Sequence, residues 1–301
     1  MRGLSVSGVN EIMRRTVWVA FAVVCVLSAS SWIVPRSEDL PALELQGIRY
    51  GLIGVVAVFV GSVRVRLGSA RLRVAAAGLG FFGVPMVVGE WARAGVAETS
   101  RIALFAMVPV VVVMAVAAGD EERGVRRFLV PALVGLGGLL MLLPLGFSGS
   151  LRGRLMQGAV CFAVVLVGLS SVWLYRLLRG WTLAETLAVV GLSNAVFLLI
   201  SSAVRGELVW QGSALVSVVS LSSLVDLVEV VLLVWLLREM MPVRFASRYL
   251  LIPLLTLLES YVLIRPELSV RMVSGVVLLA VGAGMLLFLN AGEEETMLSL
   301  R

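Results

Sequence analysis

The sequence contains no histidine and no lysine, and it carries little charge for its 301 residues. Without histidine, imidazole acid–base catalysis, histidine metal ligation and the usual proton switch near neutral pH are excluded, so any proton coupling must use carboxylates. Its two cysteines, Cys25 and Cys161, lie in separate apolar runs, which is typical of apolar packing residues. Charged residues make up 15% and apolar residues 60% of the chain, against about 25% and about 45–50% in soluble domains. The sequence therefore predicts a polytopic membrane protein.

Long apolar runs alternate with breaks that carry arginine. A membrane helix needs about 20 residues to cross roughly 30 Å of hydrocarbon, so ten spans use about 200 residues and leave no room for a soluble catalytic domain. Spanning strands would be about 9–11 residues long with alternating polarity, and little alternation is found. We predict an all-α protein with ten spans at residues 16–34, 44–63, 73–91, 100–118, 127–146, 155–175, 182–204, 213–237, 245–264 and 269–290.

The distribution of arginine predicts the orientation of these spans. All 25 basic residues are arginine, and with a cytoplasmic N-terminus about twice as many of them fall on the cytoplasmic side as outside, as the positive-inside rule requires. We predict a bacterial cytoplasmic (inner) membrane protein with both termini cytoplasmic and a short acidic tail, Glu293–Glu295. The arginines are dispersed and form no solvated patch, so nucleic acid is not an expected partner.

The two halves of the chain resemble each other. Residues 109–140 and 253–285 share four residues in the same order, with Pro109 and Pro253 offset by 144 (253 − 109) and a one-residue adjustment after them: Pro109 with Pro253, Glu122 with Glu267, Arg126 with Arg271, and Gly137 with Gly282. Each half holds five predicted spans, so the second half enters the membrane from the opposite side. The sequence thus predicts two inverted five-helix repeats, residues 1–147 and 148–301, an architecture of many secondary transporters.

Three motifs resemble those of the ten-helix drug/metabolite transporter superfamily, specifically its EamA-type members. They are Pro41 to Arg49 at the second span, Ala118-Gly119-Asp120-Glu121 after the fourth, and the region from Ala246-Ser247 through Pro253 to Glu267 and Gly275. The chain departs from the family where Arg265-Pro266-Glu267 replaces Gly-Glu, where Ser30-Ser31-Trp32 matches a Trp-Gly pattern only loosely, and at the acids of the eighth and ninth spans. The resemblance covers nearly the whole chain and implies alternating-access transport of small metabolites, often by exporters.

The eighth predicted span carries the richest set of polar residues. A charge in mid-membrane costs at least about 2.5–3.5 kcal/mol on insertion scales, so Asp226 and Glu229 are candidate functional residues. They end a series of serines at spacings of three or four, which are neighbours on a helix although the series drifts around it: Ser213, Ser217, Ser220 and Ser223. In one interpretation the two acids line a cavity and share a proton or a cation. In the other they are neutralised by a buried arginine while the serines bond their own helix backbone.

Three other polar residues fall inside predicted spans. Glu259, one turn after Thr256, either joins the same cavity or is held by a neighbour. Arg49 is either an anion-binding or gating residue, or it snorkels to the interface. Asn194 is a candidate substrate contact, with bonding between helices as the alternative.

Two prolines and one tryptophan complete the candidates. Pro109 and Pro253 each remove a backbone hydrogen bond, so they are candidate hinges for rocking helices, or plain kinks. Trp32 is a candidate cavity residue, with an aromatic belt at the interface as its alternative.

Residues Gly78 to Gly83 spell the dinucleotide-binding string GxGxxG. Such a site needs a preceding strand, whereas this string lies within an apolar run and favours close helix packing. The sequence shows no P-loop, no metal-ligand cluster and no Ser/His/Asp set, so we expect no cofactor, no metal and no enzyme activity.

We interpret the chain as a secondary active transporter, a monomer or homodimer, that moves a small amino-acid-like or amphipathic solute, with proton coupling through carboxylates as a hypothesis and export as the expected direction. The alternatives are a flippase or partner subunit for lipid-linked substrates and, less favoured because polar groups are scarce, an intramembrane enzyme. A flippase predicts a laterally open groove, and a metabolite carrier predicts an enclosed cavity.

Overall fold

The computed structural model describes residues 6–33, 40–63, 68–119, 125–143, 145–146, 149–209, 221–265 and 269–289, with side chains described except at 6–14, 32, 221 and 222. Within these ranges the regular structure is helical throughout, and no strand occurs. Several residues of the sequence predictions lie outside them: Ser213, Ser217, Ser220, Glu122, Glu267 and the acidic tail.

Most helical segments follow the predicted spans with ends that differ by a few residues, but α1 begins ten residues before its predicted span, and α8 is described only from residue 221 onward. They are α1 Val6–Ala29, α2 Ala42–Val60, α3 Ser69–Ala92, α4 Glu98–Gly119, α5 Val125–Leu142, α6 Leu151–Leu177, α7 Leu183–Val204, α8 Leu221–Glu239, α9 Pro242–Ile264 and α10 Val270–Phe288.

Eight of these segments, α2 to α7, α9 and α10, are long and apolar enough to cross a membrane. This composition identifies an all-helical, multi-pass membrane protein. The other two predicted spans coincide with α1, whose described apolar stretch is Arg15–Ala29, and with α8. That these two also cross the membrane stays a prediction.

Local sequence explains where several segments begin or change geometry. Before α7, Thr182 and Glu185 form a capping box, in which each side chain accepts a hydrogen bond from the other residue's backbone N–H. Before α10, the Ser269 hydroxyl accepts from the Met272 N–H at 3.2 Å. The GxGxxG string lies inside α3, as predicted, where Leu79–Gly83 forms a π-helical stretch.

The chain divides into two compact units that do not coincide with the predicted sequence halves. The first unit is Met1–Leu79 with Leu174–Met241, and the second is Gly80–Trp173 with Pro242–Arg301. Each unit takes helices from both halves, and the three chain boundaries fall within α3, within α6 and between α8 and α9. Units defined by contact do not test a repeat defined by sequence, so the division into 1–147 and 148–301 stays a prediction.

In the first unit, α2 and α7 form the most extensively packed helix pair. Glycines allow this approach: a Cβ added at Gly54 would lie 2.8 Å from the Leu192 backbone nitrogen, and one at Gly191 would lie 2.8 Å from the Gly54 nitrogen. Small residues at membrane helix contacts let the backbones come this close.

In the second unit, α5 and α10 form the corresponding pair. A Cβ added at Gly138 would lie 2.7 Å from the Gly275 carbonyl oxygen, and one at Gly282 would lie 2.7 Å from the Pro131 carbonyl oxygen. Both distances are too short for any side chain, so the glycines determine how closely these helices pack.

Candidate functional site

A group of buried and half-buried polar residues joins α1, α2 and α8 in the first unit. We call it the polar cluster, and its members are Ser28, Arg49, Ser223, Asp226 and Glu229. Three of them recur every third residue along α8, as the sequence predicted. The structure therefore brings Arg49 together with the candidate acids of the eighth span.

Arg49 pairs with Asp226 through a hydrogen-bonded ion pair between Nη1 and Oδ2. Its Nη2 also donates to the Ser223 hydroxyl oxygen at 2.7 Å. The side chains of Arg49 and Asp226 are only 5% and 17% exposed, so the pair is shielded from solvent. Hydrogen bonds between ionised groups are roughly twice as strong as neutral ones. This pair therefore holds α2 against α8.

Glu229 has a different partner from Asp226. The Ser28 hydroxyl donates to Glu229 Oε1 and links α8 to α1. Three residues of an α-helix turn through about 300°, so each step of three moves the next side chain about 60° around the axis. Because of this drift, Asp226 meets α2 while Glu229 meets α1. The two acids of the predicted pair therefore engage separate helices.

Burial of this cluster has an electrostatic cost that its contacts offset in part. Removing a charge from water is costly, and a buried ion pair offsets that cost only with good geometry and additional hydrogen bonds. The two terminal nitrogens of Arg49 bond different oxygens on α8, while its Nε is buried with no hydrogen-bond partner among the described residues. The expected result is a fixed relation between α2 and α8 that depends on the charge of Asp226.

Glu44 is a buried acid whose importance the sequence did not reveal. It lies in the first turn of α2 with none of its surface exposed, and its Oε2 accepts from the Val209 N–H at 2.9 Å. It therefore fixes the segment after α7 against the start of α2. Glu44 belongs to the motif from Pro41 to Arg49, but it lies at the first position of the second predicted span, where an acid does not by itself indicate a functional residue.

Asn194 is fully buried in α7 but bonds its own helix. Its Nδ2 donates to the Val190 carbonyl oxygen at 2.8 Å, and its Oδ1 is buried with no hydrogen-bond partner. The bond between helices expected as the alternative role is not made among the residues that are described. A role in binding substrate stays a prediction.

Glu259 and the two candidate hinge prolines lie in the second unit. Pro253 lies inside the α-helix Arg248–Ile264, where it removes the hydrogen bond to the Tyr249 carbonyl. Pro109 instead follows a turn at Ala106–Met107 that interrupts α4, and it is the second residue of Val108–Gly119. The two prolines therefore occupy different helical contexts, and a hinge role for either stays a prediction. Glu259 is half-buried in α9.

Trp32 ends the short 3₁₀ turn Ser30–Trp32 after α1. Its side chain lies outside the described part of the structure, so its predicted role has no geometry to support or contradict it. Within the described ranges, no group of three or more Cys, Asp or Glu side chains is close enough to hold a metal ion.

Arg248 is a second functional candidate that sequence reasoning missed. It is 7% exposed in α9, and its guanidinium lies over three rings, 4.4 Å from the Phe245 centroid, 4.7 Å from Tyr249 and 5.3 Å from Phe81. Its Nη2 also bonds the Tyr249 hydroxyl at 2.8 Å. Cation–π contacts of this kind stabilise a desolvated charge. The sequence prediction had placed this arginine at the start of the ninth span and counted it only as a charge on the cytoplasmic side.

The fold and composition define a class, a helical multi-pass membrane protein, and comparison with known proteins adds a shared fold. No sequence-family model and no curated protein matches the chain. One crystal structure, known only as that of a protein, aligns with 91% of this chain and 98% of its own, with a TM-score of 0.70 and 20% sequence identity. At that identity the likeness establishes a shared fold and says nothing of function.

Proposed function

We propose that the chain is a secondary active transporter of the drug/metabolite type. It moves a small amino-acid-like or amphipathic solute across the bacterial cytoplasmic membrane by alternating access, in the export direction and in exchange for protons. The polar cluster is the observation that carries this proposal. An ion pair and a second carboxylate among apolar helices are costly, and intramembrane ionisable residues typically mark ion or substrate pathways.

The geometry of the cluster suggests which carboxylate exchanges the proton. Asp226 is held by Arg49, so its protonation would leave a buried guanidinium without its anion. Glu229 accepts from a serine hydroxyl, and its protonation would remove one charge while that ion pair remains intact. We therefore assign proton exchange to Glu229 and maintenance of the α2–α8 contact to Arg49 and Asp226.

Contacts between α5 and α10 support the inverted repeat that this mechanism uses. Adding 144 to Pro131 and Gly138 gives Gly275 and Gly282. The close approach of Gly138 to Gly275 is matched by that of Gly282 to Pro131, and both would place a Cβ 2.7 Å from a carbonyl oxygen. Such exchange of partners is what a two-fold axis between repeats produces. The same offset relates Pro109 to Pro253, and it aligns Gly138, rather than Gly137, with Gly282.

Contacts between α2 and α7 have a similar symmetry. Adding 141 to Gly51 and Gly54 gives Leu192 and Ala195. A Cβ added at Gly54 would contact Leu192, and one added at Gly51 would contact the Ala195 Cβ at 3.5 Å. In each unit, therefore, a helix of the predicted first half packs against its predicted equivalent in the second half.

We expect the Glu229→Gln variant to exchange solute but to lose gradient-driven accumulation. One proton per solute across one pH unit sustains about a tenfold solute ratio, and this ratio should fall to about one when position 229 cannot ionise. Glutamine still accepts a hydrogen bond from Ser28, so the fold should survive. The measurement is flux in proteoliposomes with and without a pH gradient, using solutes enriched outside overexpressing cells relative to empty cells.

The matched control is Glu207→Gln, which removes the same charge from a more exposed acid paired with Arg205 in the same unit. Its solute ratio should equal that of the unmodified protein. The coupling proposal would be wrong if Asp226→Asn, Glu229→Gln and Glu259→Gln all kept the full ratio. The transport proposal itself would be wrong if no solute from that screen crossed the vesicle membrane.

A further inference from the structure

The second unit contains a cavity of about 340 Å³ between α3, α4 and α9. This volume lies within the roughly 300–1,000 Å³ typical of small-molecule sites. Most of the wall is apolar, including Pro85, Val88 and Ile252. Phe105 and Tyr249 also line it, with their rings stacked at a centroid distance of 6.3 Å and an angle of 19°. The space accommodates a small, largely apolar molecule beside two aromatic rings.

Arg101 contributes an unusual positive charge to this cavity. It is half-buried, and its Nη1 donates to the Gly89 carbonyl oxygen at 3.2 Å. Its Nε is buried with no hydrogen-bond partner, and no carboxylate in the described part of the chain forms an ion pair with it. A guanidinium has five N–H donors in a rigid fork that matches a carboxylate. Most of that donor capacity is unused here.

The other charges on the cavity wall do not neutralise Arg101. Arg93 is 61% exposed and pairs with Glu90 at 2.9 Å, so its charge is already balanced. Glu98 begins α4 and is exposed. The cavity thus combines one incompletely bonded guanidinium, an apolar wall and an aromatic pair.

We propose that this cavity binds a small amphipathic carboxylate, with the anion on Arg101 and the apolar body against Phe105 and Tyr249. A partly buried cation without a counter-ion is costly, and a ligand carboxylate would supply both the missing charge and the missing acceptors. Glu98 at the same wall is placed to meet an α-ammonium group. An amino acid and a simple monocarboxylate share the recognised chemistry, and the experiment below distinguishes them.

Assignment of this ligand class to the transported solute rests on the proposed function, whereas binding does not. The test therefore measures binding by the purified full-length chain in detergent, without flux. Isothermal titration calorimetry with phenylacetate, phenylacetamide and acetate separates the contribution of the charge from that of the apolar body. We expect phenylacetate to bind at least about tenfold more tightly than either of the others.

The Arg101→Gln variant should weaken phenylacetate binding to the level of phenylacetamide. Arg101→Lys keeps the charge but loses the planar fork, so it should bind phenylacetate with an intermediate affinity. This variant also tests the proposal if the glutamine variant fails to fold. The control is Arg205→Gln, which removes an exposed arginine of the first unit and should leave binding unchanged. Phenylalanine tests whether the ligand is an amino acid. If it is, phenylalanine should bind more tightly than phenylacetate, and Glu98→Gln should abolish that difference in affinity.

Equal binding of phenylacetate and phenylacetamide would overturn the proposal, as would unchanged phenylacetate affinity in both Arg101 variants. The two proposals fail separately. Carboxylate binding without flux of any solute would contradict transport and leave the site intact. Flux of solutes through a protein that binds no carboxylate would contradict the carboxylate site and leave the transport proposal intact.

Discussion

The Asp226→Asn variant is expected to unfold with a free energy about 3–5 kcal/mol lower than that of the unmodified protein, because removing one partner of a buried ion pair leaves an uncompensated charge. Arg49 would remain 5% exposed and would lose its ion pair with Asp226. Reversible unfolding in mixed micelles, followed by circular dichroism, measures the difference.

Two further variants test the cause of that loss. Replacing both partners, Arg49→Leu with Asp226→Leu, should recover most of the stability, because apolar side chains of similar size often substitute for a buried pair at little cost. Glu207→Gln, which breaks an ion pair with more exposed partners, should cost only about 0–1 kcal/mol. Equal losses in Asp226→Asn and Glu207→Gln would contradict the buried pair.

The Gly138→Ala variant should separate α5 from α10. Its new methyl group would stand 2.5 Å from the Leu279 backbone nitrogen and 2.7 Å from the Gly275 carbonyl oxygen, and backbone atoms cannot rotate away. Overpacking of this kind costs about 1–3 kcal/mol. Because the contact is symmetric, Gly282→Ala should give a similar loss in the same micelle unfolding experiment.

Neighbouring glycines on the same two helices provide the controls. Gly137 and Gly284 have no atom within 4 Å of an added Cβ, so alanine at either position should be neutral or slightly stabilising through its higher helix propensity. The Gly138→Ala and Gly282→Ala losses should not add, because one separation of the helices relieves both clashes. A loss of stability in Gly137→Ala as large as that in Gly138→Ala would contradict the close contact at Gly138.

Hydropathy and the arginine breaks predicted where the helices lie, because apolar length is a local property of the chain. The same local reading placed the starts of two helices slightly late. Arg101 and Arg248 lie at the beginning of the fourth and ninth predicted spans, yet α4 begins at Glu98 and α9 begins at Pro242, so both lie within helices. Hydropathy falls at an arginine, but the backbone hydrogen bonds continue through it, and a helix begins earlier than its apolar run.

The composition of the polar cluster was only partly predictable. Spacing identified Ser223, Asp226 and Glu229 as neighbours and predicted the drift of their row. The partner of each acid depends on which helix packs against α8 at that rotation, and Arg49 lies 177 positions away from Asp226. No local pattern contains that information. The same limit applies to Arg101, since a cavity is a property of several packed helices.

The symmetric α5–α10 contact also has a consequence for synthesis. Four predicted spans, α6 to α9, leave the ribosome after α5 and before α10, so the glycine face of α5 first meets lipid or provisional neighbours. In the two-stage view of membrane folding, helices insert independently and then associate. The contact between α5 and α10 is therefore among the last to form. If α10 inserts incorrectly, α5 is already in the bilayer with its glycine face uncovered and open to contact with other chains.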